Sequence, residues 1–486
     1  MGISSFDLSL LLLYLLATVV WGAWPRRTNT TGEGYLLGGR DVAWPALLLS
    51  IVATETSTVT FLSLPGQTFQ EGGDMTFLQI TFGYIVGRLG VAVLMLPEYF
   101  RGSVFTAYEV LENRYGPNVR RASSLVFIAC RTLADGLRLL LTALALEQAL
   151  GWDFSSCVLV IAVATGIYAT FGGVTSVVKN DCVQLTVYTL GALVAAYLLV
   201  KSAPGGATEI WRFGQETGRL TLFDWGEGFT DKKINFWAGL VGGGILSLAT
   251  PGVDHLMVQR YLCASSQRKA SLALCLSGPV VMLQFALFLL IGLGLAYFYQ
   301  NAAVDYAIEK PDQAFAAFLA HETPVGICGL LLAAVMAAAM STLSSSVNSS
   351  AGALVKDVIE PLYGTTSPEH SMKRLRGATL LFTVLQAGVA LGAYAIDLNQ
   401  SIIGAVLAIA GFAFGILLGL LALGMLCGKV KETPGLAALV VGFLVGGAVI
   451  NWGTISWPWN APIAFTSTFV TGYVLHLLMN RRAEQP

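Results

Sequence analysis

The chain has 486 residues, of which 55% are hydrophobic and only 12% are charged, and its formal net charge is −1. The charged fraction is about half of the roughly 25% usual in soluble domains, and the mean hydropathy is +0.69. This composition excludes a soluble globular protein and predicts a polytopic membrane protein. Because there is no basic excess, the electrostatic footprint that nucleic-acid binding requires is also excluded.

Apolar runs long enough to cross a bilayer follow one another along almost the whole chain. A hydrocarbon core about 30 Å thick needs about 20 apolar residues per helix, and the sequence offers about thirteen such runs. We therefore predict an all-α polytopic protein with one integral membrane domain over residues 1–486. The predicted spans begin near Phe6, Trp44, Met75, Arg121, Phe154, Ser176, Ile234, Ala270, Thr323, Leu375, Ile402, Pro434 and Ala461.

Lys and Arg residues in the short loops predict the orientation of these spans. They follow the odd-numbered spans, as Arg26 and Arg27 do after the first span and Arg260 and Arg268 after the seventh. We therefore expect the N-terminus outside and the C-terminus in the cytoplasm of a cell membrane, either a plasma membrane or a bacterial inner membrane. Lipid is the expected surrounding, and no obligate protein partner is evident.

Two of the predicted spans are interrupted. The second breaks at the polar, β-branched stretch Ala53–Thr60, and the seventh is loosened by Gly239 and Gly242–Gly244 before it meets Pro251. Broken helices in corresponding positions of two halves predict a transporter built from inverted repeats, with its site at the midplane. The expected parts are an extra N-terminal helix (6–24), a first repeat (44–203), a second repeat (234–426) and two C-terminal helices (432–480).

Oxygen-bearing side chains lie at membrane depth in two distant segments. Asp181 is five residues into the sixth span, and an intramembrane carboxylate is costly unless it has a partner. Ser341, Ser344 and Ser345 share one helical face. Such hard oxygen ligands favour a small cation such as sodium. Two alternatives remain: the serines form a small-residue packing face, or Asp181 pairs with Lys179 at the cytoplasmic surface.

Arg131 lies near mid-membrane and is the candidate for binding a substrate carboxylate through its planar guanidinium. The alternative is a salt bridge to Asp135, four residues later on the same helix. With Arg138 the three residues carry one excess positive charge. Asp254 and His255, at the end of the seventh span, favour a gate or loop contact.

Further polar residues lie beside the first break. Ser57 and Thr60 are one turn apart there, Gln79 is early in the next span, and each either contacts a solute or bonds its own backbone. Phe236 is a candidate aromatic wall above the site or, alternatively, an interfacial anchor. Glu55 lies in the broken stretch and has no assigned role.

Six motifs, in order and on these spans, resemble those of a known family. The chain is similar to the sodium:solute symporter family, which includes sodium/glucose, sodium/proline, sodium/iodide, sodium/vitamin and bacterial sodium/sialic acid transporters. The polar pattern around the first break most resembles the sialic acid branch. The motifs are Leu36–Arg40, Phe61–Gly66, Thr106–Gly116, Tyr168–Gly173 with Asn180–Gln184, Val258–Leu262 and Met340–Ser349.

The resemblance implies a LeuT-type fold with a 5+5 inverted repeat, one extra N-terminal helix and two extra C-terminal helices. It implies sodium-driven import of a small polar solute by alternating access and no enzymatic activity. The expected solute is a carboxylate-bearing sugar acid such as sialic acid. A neutral sugar, an amino acid, another organic anion or a proton-coupled version are the alternatives.

The resemblance also implies binding residues for one or two Na+ ions and for the solute. The first sodium site would use the carbonyls of Ala53, Thr56 and Ala338 with the hydroxyls of Ser341 and Thr342. The second sodium site, present in some members, would use Asp181, Ser344 and Ser345. The expected solute contacts are Ser57, Thr60, Gln79, Arg131 and Phe236.

Overall fold

The structure, a computed structural model, describes residues 3–24, 31–102, 104–226, 233–364, 367–396, 402–452 and 455–483. Among these residues the regular elements are helices. They are α1 (Ser5–Ala23), α2 (Gly32–Leu37), α3 (Trp44–Glu55), α4 (Leu64–Phe69), α5 (Ile80–Gly90), α6 (Leu96–Phe100), α7 (Glu109–Tyr115), α8 (Pro117–Leu150), α9 (Phe154–Ser202), α10 (Gly206–Glu216), α11 (Gly243–Val253), α12 (His255–Leu262), α13 (Gln267–Asn301), α14 (Ala314–His321), α15 (Ile327–Ala353), α16 (Glu360–Tyr363), α17 (Pro368–Ala395), α18 (Ile402–Cys427), α19 (Glu432–Trp452) and α20 (Asn460–Ala483).

The described helices confirm the predicted all-α membrane architecture. Nine of them are long and apolar enough to cross a bilayer, or ten when a bent pair is taken as one span. That pair is α3 with the segment Val59–Phe69, which meet at 59°. The predicted break in the second span is therefore present, while the total of thirteen crossings stays a prediction.

The long helix α9 divides at Gly173, where the backbone has φ +58° and ψ −173°. Glycine adopts this left-handed region without the steric cost that a Cβ would bring. The division falls between the predicted starts of two spans at Phe154 and Ser176. Two consecutive crossings thus follow each other almost without a loop.

The glycines of the seventh span do not break it, and the loosening that we expected is limited to a π-helical turn. They continue one helix through the π-helical turn Ala238–Gly242 into α11, and they lie against α5. A Cβ added at Gly83 or Gly87 would collide with the carbonyl oxygens of Gly239 or Gly244. Small residues on both helices allow this close backbone approach, as is usual in membrane proteins.

The break in this span lies instead at Asp254, which has an extended backbone with φ −70° and ψ 114° and separates α11 from α12. The Asp254 side chain accepts a hydrogen bond from the Leu256 backbone N–H and so caps the N-terminus of α12. The span is therefore broken as predicted, but about three turns beyond the glycine run and three residues after Pro251.

Helix α15 is the central element, because its residues from Leu331 to Ala353 are all buried. It packs against α1, α3, α8, α9 and α17. The Asp7 carboxylate of α1 accepts hydrogen bonds of 2.7 Å from the backbone N–H groups of Gly326 and Gly329, which would otherwise be unpaired at the start of α15. This contact fixes the end of the helix that carries the serine run.

Candidate functional site

The end of α3 presents backbone carbonyls that no longer belong to a continuous helix. After Glu55 the chain leaves the helical conformation at Thr56, with φ −89° and ψ 78°. The Thr54 hydroxyl donates to the Ser50 carbonyl at 2.8 Å, and the Thr56 hydroxyl donates to the Val52 carbonyl. These local bonds give hydrogen-bond partners to backbone carbonyls near the end of α3, as Thr side chains often do in helices.

The serine run of α15 faces this break. The Ser341 hydroxyl lies 3.0 Å from the Ala53 carbonyl oxygen and 3.3 Å from that of Ala338, and the Thr342 hydroxyl donates to the Thr54 carbonyl at 3.1 Å. All of these groups are buried. The structure therefore brings together four of the five residues predicted for the first sodium site, and Thr56 follows them in the broken stretch.

Asp181, on α9, is fully buried. It accepts hydrogen bonds from the Ser50 hydroxyl and from Arg260, whose Nη2 is 3.1 Å away. Arg260 Nη2 also donates to the Ser345 hydroxyl. The partner that Asp181 needs is thus supplied by the protein, and the alternative pairing with Lys179 is wrong because Lys179 is exposed.

Arg260 was expected in a cytoplasmic loop, but it is 2% exposed and belongs to α12. The sequence shows it as one cation among several after the seventh span. Its burial depends on the break at Asp254, which turns α12 back into the protein. No local pattern marks that turn.

The two oxygen clusters are joined through α15 itself. The Ser345 hydroxyl donates to the Ser341 carbonyl at 2.7 Å, and the Ser344 hydroxyl lies 3.2 Å from the same oxygen. The Asp181 Oδ1 atom is buried and has no hydrogen-bond partner among the described residues. One carboxylate oxygen is therefore unpartnered among the described residues, although Arg260 balances the charge of the carboxylate.

Glu55, which had no predicted role, forms a partly buried ion pair with Arg88 of α5. The Arg88 side chain is completely buried, and its guanidinium carbon lies 5.8 Å from the Tyr84 ring centroid. A charge in the interior must be paired, so this contact explains how Glu55 is tolerated beside the break.

Arg131 binds two carboxylates of the protein. It donates to both oxygens of Asp254 and lies 3.7 Å from Asp135, which also pairs with Arg138. The predicted alternative of an Arg131–Asp135 salt bridge is therefore present, with Asp254 as the stronger partner. We expected one excess positive charge from Arg131, Asp135 and Arg138. With Asp254 included, the cluster is neutral.

Gln79 holds a loop in this structure. Its side chain donates to the carbonyls of Thr76 and Ile234 at 3.0 and 3.2 Å, and it accepts a bond of 3.1 Å from the Asp224 backbone N–H. Ser57 and Thr60 are buried beside the break, 2% and 6% exposed. Only the bond to Thr76 is to its own turn, as the alternative expected, and the other two tie Gln79 to the segment that contains Asp224 and Ile234.

Phe236 belongs to an aromatic cluster at the surface. Its ring centroid lies 4.7 Å from that of Trp225 and 5.5 Å from that of Trp237, and both tryptophans are more than half exposed. These contacts fit the interfacial anchor rather than a wall above the break.

A cavity of about 990 Å³ opens beside the loop that contains Gly72 and Asp74. Its lining from α8 includes Leu141 and Ala145, and its lining near the break includes Leu62 and Phe77. Leu62, Phe77 and Leu141 are themselves almost completely buried, so we take them as the floor of this vestibule. The vestibule leads from one face of the protein towards the break.

The opposite end is closed by ion pairs. Arg120 of α8 binds Glu109 and Glu112 of α7 and lies 2.7 Å from Asp357, which follows α15. Asp357 also accepts a hydrogen bond of 2.6 Å from Thr106. These contacts hold α7, α8 and the segment after α15 together at the start of α8, the end of that helix away from Leu141 and Ala145, which line the vestibule.

Comparisons with known proteins agree with this architecture. The family model described as the sodium:solute symporter family matches residues 35–442. The sodium-coupled monocarboxylate transporter 2 of Bos taurus is 28% identical over 456 residues, which cover 92% of this chain and 72% of that protein. The human sodium/iodide cotransporter is 28% identical over 464 residues, 92% of this chain and 69% of that protein.

A solved structure shares the fold. The substrate-bound outward-open state of a Na+-coupled sialic acid symporter superposes with a TM-score of 0.87, at 23% identity, over 98% of both chains. This likeness confirms the predicted fold class.

Proposed function

The chain belongs to the sodium:solute symporter family, and from this membership we propose that it couples the inward movement of sodium to the import of a small carboxylate-bearing solute. The observation that carries the proposal is the meeting of the Ser341 and Thr342 hydroxyls with the Ala53 and Thr54 carbonyls at the end of α3. Carbonyls released from a broken helix are the oxygens that coordinate sodium in transporters of this kind.

The first sodium ion is held by the carbonyls of Ala53, Thr56 and Ala338 with the hydroxyls of Ser341 and Thr342. Each hydroxyl can turn its hydrogen away from a cation and offer a lone pair. On binding, the ion exchanges its water ligands for these protein oxygens. Because the group is buried, water screens the attraction between the ion and the oxygens only weakly. Sodium at this position ties α3 to α15 more strongly than the two hydrogen bonds alone.

A second sodium ion would bind Asp181 with Ser344 and Ser345. The support is the unpartnered Asp181 Oδ1; the obstacle is Arg260, which leaves the pair without net charge. Binding there therefore requires Arg260 to move away from the carboxylate. We propose that one sodium ion is obligatory and that binding of a second ion depends on the position of Arg260. A Hill coefficient for sodium above one in the wild type would support the second ion.

The proposed solute is a small organic anion. Two of the relatives are named for anionic solutes, monocarboxylates and iodide, and the structural neighbour is named for sialic acid. Ser57 and Thr60 supply polar contacts beside the break, and Gln79 becomes available when the loop that it holds moves away. The vestibule is the entry route from outside, because it lies opposite the face where the basic loops are expected.

Uptake into proteoliposomes under an imposed sodium gradient tests the proposal. Radiolabelled pyruvate, lactate and N-acetylneuraminate are compared with glucose and proline, with potassium replacing sodium as the control. We expect sodium-dependent accumulation of at least one carboxylate and none of glucose. Accumulation of a neutral sugar alone would refute the solute class, and uptake that follows a proton gradient without sodium would refute sodium coupling.

A further inference from the structure

One face of α8 carries a polar stripe that reaches both helix breaks. The stripe consists of Arg131, Asp135, Arg138 and Thr142, which are spaced at i, i+4, i+7 and i+11 and so share a face. At one end Arg131 is paired with Asp254, between α11 and α12. At the other end the Thr142 hydroxyl donates to the Thr58 hydroxyl at 3.0 Å, between α3 and α4.

The two arginines of the stripe differ in how many of their N–H groups already have partners. Arg131 is occupied on both sides, by the two oxygens of Asp254 and by Asp135. Arg138 pairs only with Asp135, and its Nε atom is buried without a hydrogen-bond partner among the described residues. The Arg138 side chain is 13% exposed, but its unpaired Nε–H group is buried, which is costly, so Arg138 is the arginine that gains by binding an acceptor.

Their positions along α8 also differ. At about 1.5 Å per residue, Arg138 lies about 6 Å along the axis from Thr142, and Arg131 lies about 16 Å from it. Leu141 and Ala145, which line the vestibule, follow Arg138 at i+3 and i+7 on the same side of the helix. Arg138 itself is not part of the lining, but it is within one turn of Leu141, while Arg131 lies about two turns deeper.

We propose that Arg138 binds the carboxylate of the transported solute beside the first break, an inference that rests on the proposed function. Its guanidinium, with Nε still unpartnered, can donate to a carboxylate in the bidentate geometry that gives Arg its selectivity for planar anions. Arg131 is then a positioning residue, which holds Asp135 and the break at Asp254. The carboxylate-binding role that the sequence assigns to Arg131 passes to Arg138.

Charge balance links this assignment to sodium. Arg131, Arg138, Asp135 and Asp254 sum to zero, so a bound carboxylate brings one uncompensated negative charge into the membrane interior. A sodium ion at the end of α3 supplies the opposite charge close to Thr58. Because an unpaired charge is expensive at this depth, solute and sodium bind more tightly together than either does alone.

The test compares Arg138→Gln, Arg138→Lys and Arg131→Gln in full-length protein reconstituted in proteoliposomes, with the carboxylate that the wild type accumulates best among pyruvate, lactate and N-acetylneuraminate. Loss of a charge-assisted bond of about 1.5–3 kcal/mol predicts a KM about 10- to 150-fold higher in Arg138→Gln. Arg138→Lys retains the charge without the fork and should fall between that variant and the wild type.

Sodium-induced thermal stabilisation without solute provides an independent readout, and Arg138→Gln should retain the wild-type shift. If Arg138→Gln does not fold, Arg138→Lys carries the comparison. A wild-type KM in both Arg138 variants, or a raised KM in Arg131→Gln alone, overturns the assignment while leaving sodium-driven carboxylate import intact. If the wild type accumulates no carboxylate at all, the proposed function fails before any variant is compared.

Discussion

Replacing Ser341 by Ala removes one hydroxyl from the proposed first sodium site and little else. This hydroxyl is 1% exposed and lies 3.0 Å from the Ala53 carbonyl oxygen and 3.3 Å from that of Ala338. Without sodium the variant loses a neutral hydrogen bond, worth about 1 kcal/mol. With sodium it also loses a ligand to a charged group, worth about 1.5–3 kcal/mol, so the sodium concentration for half-maximal uptake should rise about 10- to 150-fold.

Ser349→Ala is the matched control for this prediction. Its hydroxyl is also fully buried on α15, and it bonds the Ser346 carbonyl at 3.1 Å. Ser349 is eight residues from Ser341, about 12 Å along the helix, so it lies away from the break. The control should lose a similar amount of stability and keep its sodium dependence.

The assay is the sodium dependence of uptake in proteoliposomes, with choline replacing sodium at constant ionic strength. The sodium-induced rise in Tm of the purified protein gives the same comparison without transport. An unchanged sodium dependence in Ser341→Ala would refute the site, and so would an equal change in Ser349→Ala.

Three further predictions follow from the same contacts. Asp181→Ala leaves Arg260 buried without its carboxylate, so the free energy of unfolding should fall by about 3–5 kcal/mol. Adding Arg260→Met to the same chain should recover part of this loss. Equal stability of the single and double variants would contradict the pairing. Thr342→Ser keeps the hydroxyl that bonds the Thr54 carbonyl and should keep the sodium dependence, whereas Thr342→Val should raise the half-saturating sodium concentration at least about tenfold in uptake assays. Gly83→Ala places a Cβ against the Gly239 carbonyl and should lower the free energy of unfolding by about 1–3 kcal/mol. Gly377 has open space around it, so Gly377→Ala should not lower it. Similar Tm values for the two variants in thermal unfolding would argue against the close approach of α5 and α11.

The first break and the serine face could be predicted because each violates a local rule. Thr56 to Thr60 form a polar, β-branched stretch inside an apolar run, and a helix in lipid tolerates such a stretch only where other groups satisfy its backbone. Ser341 and Ser345 share a face by helical spacing alone. Both signals lie within a few residues, so the sequence suffices to find them.

The partners of the charged residues could not be predicted, because they depend on how distant helices meet. Arg260 reads as a loop cation until the break at Asp254 places α12 inside the protein. Arg88 reads as an ordinary residue of an apolar span until its contact with Glu55 is seen. Phe236 beside Trp237 fits either a binding pocket or the lipid interface, and only the tertiary structure places it in the surface cluster.

The geometry of α15 gives a physical reason why sodium and solute affect each other's binding. The Ser341 and Thr342 hydroxyls join α15 to the end of α3. The broken stretch that follows α3 carries Thr58, which bonds Thr142 on the same stripe as Arg138. An ion that fixes the end of α3 therefore also fixes the position of the group next to the proposed carboxylate site. By linkage, the factor by which sodium raises solute affinity must equal the factor by which solute raises sodium affinity. Disruption of either end of this connection should reduce this shared coupling factor towards one, which a purely structural role for the stripe would not require.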